Sequence, residues 1–329
     1  MHNKFIDLLL DKTASVGARI GPALRRYDSS DFKDALFRVA NDLTDNKLIR
    51  RACGESLADI WIRTNHFDLD SLLNLQGIAK LVVLDKIMMK KPTWYKKFLK
   101  SGGEELTPKK FIDLLLDKTA CELEREYAAT LLVRYDSSEV KDALFRVAND
   151  LTDNKLIRRA CGESLADIWI RTNHFDLDSL LNLQGIAKLV VLYKIMMKKP
   201  TWYKKFLKSG GEELTPKKFI DLLLDKTACE LEREYAATLL VRYDSSEVKD
   251  ALFRFANDLT DSEDIRFTCG ESLADIWIRT NQFDLDSLLK LQDIAKVRAL
   301  EIIIIEKETW YIEYLKRGGE ELNNLLNDF

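Results

Sequence analysis

The sequence predicts an all-α protein built from three tandem copies of one helical module, and three observations predict it. The segment CGESLADIWIRTN occurs three times, starting at Cys53, Cys161 and Cys269, with flanking text that repeats at the same interval. Helix breakers are scarce, with 13 glycines and 5 prolines in 329 residues, too few for a turn-rich β architecture. Apolar residues recur at helical spacing, and no stretch sustains the period-two alternation of a strand. FIDLLLDKTA likewise begins at Phe5, Phe111 and Phe219, so the expected modules are 1–106, 107–214 and 215–329. Between Tyr27 and Pro108 the first copy differs from the second only at Asp31/Glu139, Phe32/Val140 and Asp85/Tyr193, while the third has drifted further, mostly after Ser262.

A period this long contains smaller units, and the second copy shows them in order. TPKKFIDLLLDKT opens with Thr107 as N-cap and Pro108 in the first helical position. ACELEREYAATLLVRY forms a second helix, and Asp136, Ser137 or Ser138 caps a third, EVKDALFRVANDL. Asp153 is the expected cap of the fourth, NKLIRRACGESLADIWIRT, and Asp176 or Asp178 that of a short fifth, SLLNL. The sixth, IAKLVVLYKIMMKK, breaks at Pro200, and the seventh, TWYKKFLKS, stops at Gly210-Gly211. The pieces are expected to run in antiparallel pairs with short links. The polar NNLLNDF after Leu322 reads as a terminal cap.

In the thrice-repeated helix, stepping 100° per residue places Leu165, Ile168, Trp169 and Thr172 beside Cys161, a stripe that must be buried. Burial of such side chains contributes roughly 1.5–3 kcal/mol each. Gly162, unfavourable inside a helix by up to about 1 kcal/mol, implies a closely packed neighbouring helix. Ser164 is expected to bond the carbonyl one turn back.

The same segment is a poor nucleophile site. CGESL is not a nucleophile elbow, no strand precedes it, and a serine or cysteine needs an activating base. The chain has three histidines, His2, His66 and His174, and the third copy replaces the last two with Gln282. No His, Cys or carboxylate group has metal-ligand spacing, so no catalytic residue, metal or cofactor is expected, nor any small-molecule substrate. The five cysteines form no CxxC pair and read as reduced thiols in a reducing, cytoplasmic setting. Met1–Leu10 mixes polar and apolar residues, unlike a secretory leader, and the longest aliphatic run, Ile302–Ile305, is too short to span a bilayer.

Opposite the buried stripe lies a ladder of acids with one isoleucine per copy: Glu55, Asp59 and Ile62; Glu163, Asp167 and Ile170; Glu271, Asp275 and Ile278. A solvated helix face is the plain interpretation; a repeated surface for a basic protein partner is the sharper one. A second candidate is the lysine cluster at the end of copies one and two, Lys90, Lys91, Lys96 and Lys97 with Lys198, Lys199, Lys204 and Lys205, interleaved with aromatics. Lysines along a phosphate backbone release counterions on binding nucleic acid. In copy three, Glu301, Glu306, Glu308 and Glu313 break up the positive run, and the aromatics fall at core spacing. The net charge of -3 creates no general field for nucleic acid.

EREYAATLLVRYDSSEVKDALFRVANDLTDNKLIRRACGESLADIW resembles HEAT-like repeats of the short bacterial, PBS-lyase type. Glu124-Arg125-Glu126 and Ala128-Ala129 match the family's first element, and Asp153 with Arg159, like Asp45 with Arg51, matches its Asp–Arg ladder. Copy three has Asp261 but Phe267, with Arg266 one position early, and PTWYKKF fits the family poorly. The resemblance implies a right-handed α-solenoid, a HEAT-like superhelix that binds a partner, usually protein, without chemistry of its own. It also implies likeness to small bacterial HEAT-like proteins, some of which neutralise toxins as immunity factors.

Overall fold

In the computed structural model, which describes residues 2–20 and 28–322, every regular element is a helix. The first run comprises α1 (His2–Leu10), α2 (Val16–Arg19), α3 (Ser30–Asn41), α4 (Lys47–Thr64), α5 (Leu69–Asn74), α6 (Gly77–Lys90) and α7 (Pro92–Lys100). The second comprises α8 (Pro108–Leu116), α9 (Glu122–Leu132), α10 (Ser138–Ala148), α11 (Lys155–Thr172), α12 (Leu177–Asn182), α13 (Gly185–Lys198) and α14 (Pro200–Lys208). The third comprises α15 (Pro216–Leu224), α16 (Glu230–Leu240), α17 (Ser246–Ala256), α18 (Glu263–Thr280), α19 (Leu285–Lys290), α20 (Asp293–Glu306) and α21 (Glu308–Lys316). The polar tail 323–329, expected to cap the array, lies outside the described residues. The chain divides into two compact units, Met1–Ile168 and Trp169–Phe329.

Most boundaries follow the expected local chemistry. Thr107 accepts from the Lys110 amide, Ser137 from Val140 and Asp176 from Ser179. Lys199 is the last residue before Pro200, and Gly210 adopts a left-handed φ of 83° just after α14. The exception is the fourth helix of each copy. In the first two, Asn46 and Asn154 cap it by accepting from Leu48 and Leu156, because the aspartate one position earlier is engaged elsewhere.

Within each unit the helices form two layers. Arg125 Nε donates to Leu115 O, Arg158 Nε to Ala148 O and Arg233 Nε to Leu223 O. The start of one helix therefore meets the end of the preceding one, as in an antiparallel hairpin. Successive hairpins then stack so that alternate helices run parallel. In unit 1, α4 and α6 meet start to start at Gly54 and Ala79, and end to end at Asn65 and Lys91. In unit 2, α16 and α18 meet at Arg233–Asp261, at Ala237–Ser272 and at Val241–Arg279. This all-α stacking of helix hairpins is a HEAT-like repeat architecture.

The repeated helix is interior, as its periodicity demands. Trp61 is 2% exposed, Trp169 1% and Trp277 1%. Cys53, Cys161 and Cys269 are fully buried beside them. A Cβ on Gly54 would sit 2.8 Å from the Ala79 carbonyl oxygen, and one on Gly270 would collide with the Ala295 backbone. Close approach of the next parallel helix explains the glycine. The serine differs from expectation: Ser164 Oγ donates to Ala129 O of α9 at 2.8 Å, and Ser272 Oγ to Ala237 O of α16 at 3.1 Å. The backbone of the neighbouring helix packs close enough for its carbonyl to accept the hydroxyl.

The Asp–Arg ladder exists with different partners. Arg125 binds Asp153 through both terminal nitrogens, Nη1 at 2.8 Å and Nη2 at 2.5 Å, with both side chains 4% exposed. Arg19–Asp45 and Arg233–Asp261 repeat the arrangement. Each aspartate is thus held by an arginine of the preceding parallel helix, while Arg51 and Arg159 turn to Glu55 and Glu163 on their own helices. The pair consequently survives in copy three despite Phe267.

Candidate interaction face on the parallel helices

The ladder residues belong to the parallel layer, on the side turned away from the hairpin partners. None of the nine is fully exposed, contrary to the expectation that the acids lie outermost. In copies one and three the next parallel helix rises beside them and supplies counter-charges. Glu55 accepts from Arg51 at 3.0 Å, and Asp59 from Lys86 of α6 at 2.9 Å. Ile62 packs against the core of unit 1. Asp85 of α6 is bound at 3.0 Å by the Tyr127 hydroxyl of α9 and by Arg134 in the turn just after that helix. The Arg51 guanidinium lies 5.4 Å from the Tyr127 ring centre. In unit 1 this face is a closed network of opposite charges. Glu163 pairs weakly with Arg159 at 3.7 Å, and Asp167 and Ile170 are half-buried.

Unit 2 departs from this pattern. Tyr193 stands where copy one has Asp85; it packs edge-on to Tyr235 at 6.0 Å, with the Arg242 guanidinium 5.0 Å from its ring centre. Glu271 binds Arg298 of α20 at 3.2 Å, and Arg298 also reaches Glu301 and covers the Phe267 ring. The position of Lys86 is taken by Ile302. Asp275 therefore makes no ion pair among the described residues. Burial, then the neighbouring Glu271 charge, raises its pKa above the ordinary carboxylate value. Sequence reasoning missed the partners Lys86 and Arg298 because they lie on another helix, 27 residues from the acids they bind. The substitution pattern Lys86/Lys194/Ile302 was the available signal.

The lysine cluster is only partly free. Lys91 Nζ donates to Asn65 Oδ1 at 3.0 Å and covers Trp94, and Lys199 does the same to Asn173 and Trp202. Asn65 and Asn173 have left-handed φ values of 50° and 54°, so these lysines pin helix C-caps. Lys90, Lys96, Lys97, Lys198, Lys204 and Lys205 are exposed, whereas Trp94, Phe98, Trp202 and Phe206 are buried core residues.

The buried thiols are unsuited to nucleophilic work. Desolvation pushes the Cys53 thiol up to about 12 and raises those of Cys161 and Cys269 as well. One carboxylate trio does converge: Glu230 and Glu234 of α16 with Asp264 of α18 bring oxygens within 4.8 Å of one another. It joins two helices, so no spacing along one helix announces it, and Asp264 replaces Leu48 and Leu156 of the other copies. Among the described residues no helix is long and apolar enough to cross a membrane.

No family model and no curated protein matches the sequence. Among solved structures, one similar chain comes from the complex in which Kap95p binding induces the switch loops of RanGDP to adopt the GTP-bound conformation. It is 13% identical with a TM-score of 0.41, over 92% of this chain and 45% of that one, so this chain spans less than half its length. Another is human deoxyhypusine hydroxylase in complex with glycerol, 12% identical with a TM-score of 0.33, over 99% of this chain and 96% of that one. The second neighbour is an enzyme, which corrects the expectation that a chain with this architecture has no chemistry of its own.

Proposed function

We propose that this HEAT-like helical-repeat chain, of the short bacterial type and made of the modules 1–106, 107–214 and 215–329, is a scaffold that holds a protein partner on its parallel-helix face. The observation that carries the reading is Asp275. In copy one the equivalent Asp59 is neutralised by Lys86; in copy three Ile302 stands there instead, and a half-buried carboxylate waits beside Glu271 and Ile278. A lysine or arginine side chain of the partner fits that position, with Ile278 and Ile302 contacting its aliphatic stem. The buried Arg–Asp pairs support the short bacterial type, and the near-identical copies support the module boundaries.

The test is affinity capture with the wild-type chain, followed by binding of the recovered partner to Ile302→Lys. This substitution restores the internal cation, so the partner's affinity should fall about tenfold or more, the equivalent of 1.4 kcal/mol. Unchanged affinity in Ile302→Lys and in a triple Glu55→Lys, Glu163→Lys, Glu271→Lys variant would refute the reading.

A further inference from the structure

The junction between copies two and three, all of it in unit 2, is packed differently from the contacts inside a copy. Within copy three, α16 and α18 approach until the Ser272 hydroxyl reaches the Ala237 carbonyl at 3.1 Å. Between the copies, α13 meets α16 through large rings, with Tyr193 edge-on to Tyr235 at 6.0 Å. Rings of that size keep the two helices apart, and toward the helix starts the gap opens as a cavity of about 250 Å³. Its walls are Leu189 and Leu192 of α13, Leu214 of the link before α15, and Leu222 of α15. Leu192 is buried and the other three are half-buried. The wall at Leu214 is fixed through both of its backbone groups. Its amide donates to the Tyr203 hydroxyl at 2.8 Å, and its carbonyl accepts from the Tyr243 hydroxyl at 3.2 Å.

Size and lining define what fits. The cavity exceeds the roughly 150 Å³ that holds a benzene ring and falls short of the roughly 300 Å³ at which drug-sized sites begin. Four leucines present no ring to stack on, so a compact branched alkyl group matches them. The rim supplies the polar end. Glu212 is already paired with Lys218 at 2.7 Å, and Lys188 Nζ donates to the Leu181 carbonyl at 3.1 Å. Glu232, in the first turn of α16, also lines the cavity. It is half-buried and has no hydrogen-bond or ion-pair partner among the described residues. A half-buried carboxylate beside an apolar hollow selects an ammonium. We propose that this cavity binds a small primary amine carried on a branched alkyl group. Glu232 takes the ammonium, and Leu189, Leu192, Leu214 and Leu222 enclose the alkyl group.

Binding of this ligand needs no protein partner, so its test is independent of the partner reading. An NMR titration of the full chain with isopentylamine should saturate with a dissociation constant of about 1 mM or tighter. Isopentanol keeps the alkyl group without the charge, and methylamine keeps the charge without the alkyl group; each should bind at least about tenfold more weakly. Glu232→Gln should weaken isopentylamine about tenfold and leave isopentanol unchanged. Leu222→Trp, which fills the cavity, should abolish saturation by both; should it fail to fold, Glu232→Gln carries the test alone. No saturation of the wild type up to about 10 mM, equal binding of amine and alcohol, or undiminished amine binding in either folded variant would overturn the proposal.

Discussion

At the scale of single residues, the decisive groups are buried charges. Arg125 and Asp153 are closed off from water together, and removing one partner strands the other. Arg125→Ala or Asp153→Asn should therefore destabilise unit 1 by about 3–5 kcal/mol, measured by denaturant unfolding, whereas loss of the exposed Lys109–Asp113 pair should change little. Burial acts to raise the pKa of Asp153, but the hydrogen bonds from Arg125 and the Asn154 amide outweigh it, and the net shift is downward. A depressed carboxylate contributes stability above its unfolded value, about 3.9, and loses it as pH falls through the folded value below that. Melting temperatures of the wild type should accordingly fall as pH drops below about 4, and those of Asp153→Asn should respond less. Asp275 carries the opposite sign. Its raised pKa means the folded state holds its proton more tightly, so the charged form costs stability at neutral pH. Asp275→Asn should melt higher than wild type at pH 7, with the gain disappearing below about pH 4; a lower melting point at pH 7 would show the carboxylate to be satisfied. These pairings were only half legible. Arg125 and Asp153 stand out in the sequence as family-like residues, but Asp153 invites pairing with Arg159, because pattern reading matches residues nearby in the chain. The true partner is 28 residues back, on a helix whose alignment depends on packing.

At the scale of helices, much more could be read in advance. Caps at Thr107, Ser137 and Asp176, the break at Pro200 and the tryptophan stripe are local or strictly periodic signals, and all appear in the structure. A closely packed neighbouring helix was announced by Gly162, whose counterparts are Gly54 and Gly270, though neither its direction nor its identity was. Gly270→Ala should destabilise by about 1–3 kcal/mol because the new methyl meets the Ala295 backbone, which cannot move aside like a side chain. Trp277→Ala should cost about 3–5 kcal/mol through the cavity it leaves. Chemical denaturation of both variants checks the ordering; a neutral Gly270→Ala would mean the two helices are not closely packed. The acid ladder was the less legible part. Helical periodicity puts it opposite the tryptophan stripe, but its half-burial comes from packing against a neighbouring helix, and that requires knowing how hairpins stack.

At the scale of the whole molecule, repetition is the informative feature. Three copies of one fold element let each substitution be read against two internal controls. Asp85 becomes Tyr193, Lys86 becomes Ile302, Gly77 becomes Asp293 and Leu48 becomes Asp264, and each exchange changes the local charge, the first two at half-buried positions. Copy one neutralises its ladder from within, while copy three leaves Asp275 unpaired. A scaffold whose copies share a framework but differ in their counter-charges can present one finished surface and one that awaits a partner. Hydrogen–deuterium exchange of the chain with its captured partner tests this most directly. Protection of α18 and α20 around Asp275 and Ile302 is the predicted result; protection confined to the lysine-rich α7 and α14 would contradict it.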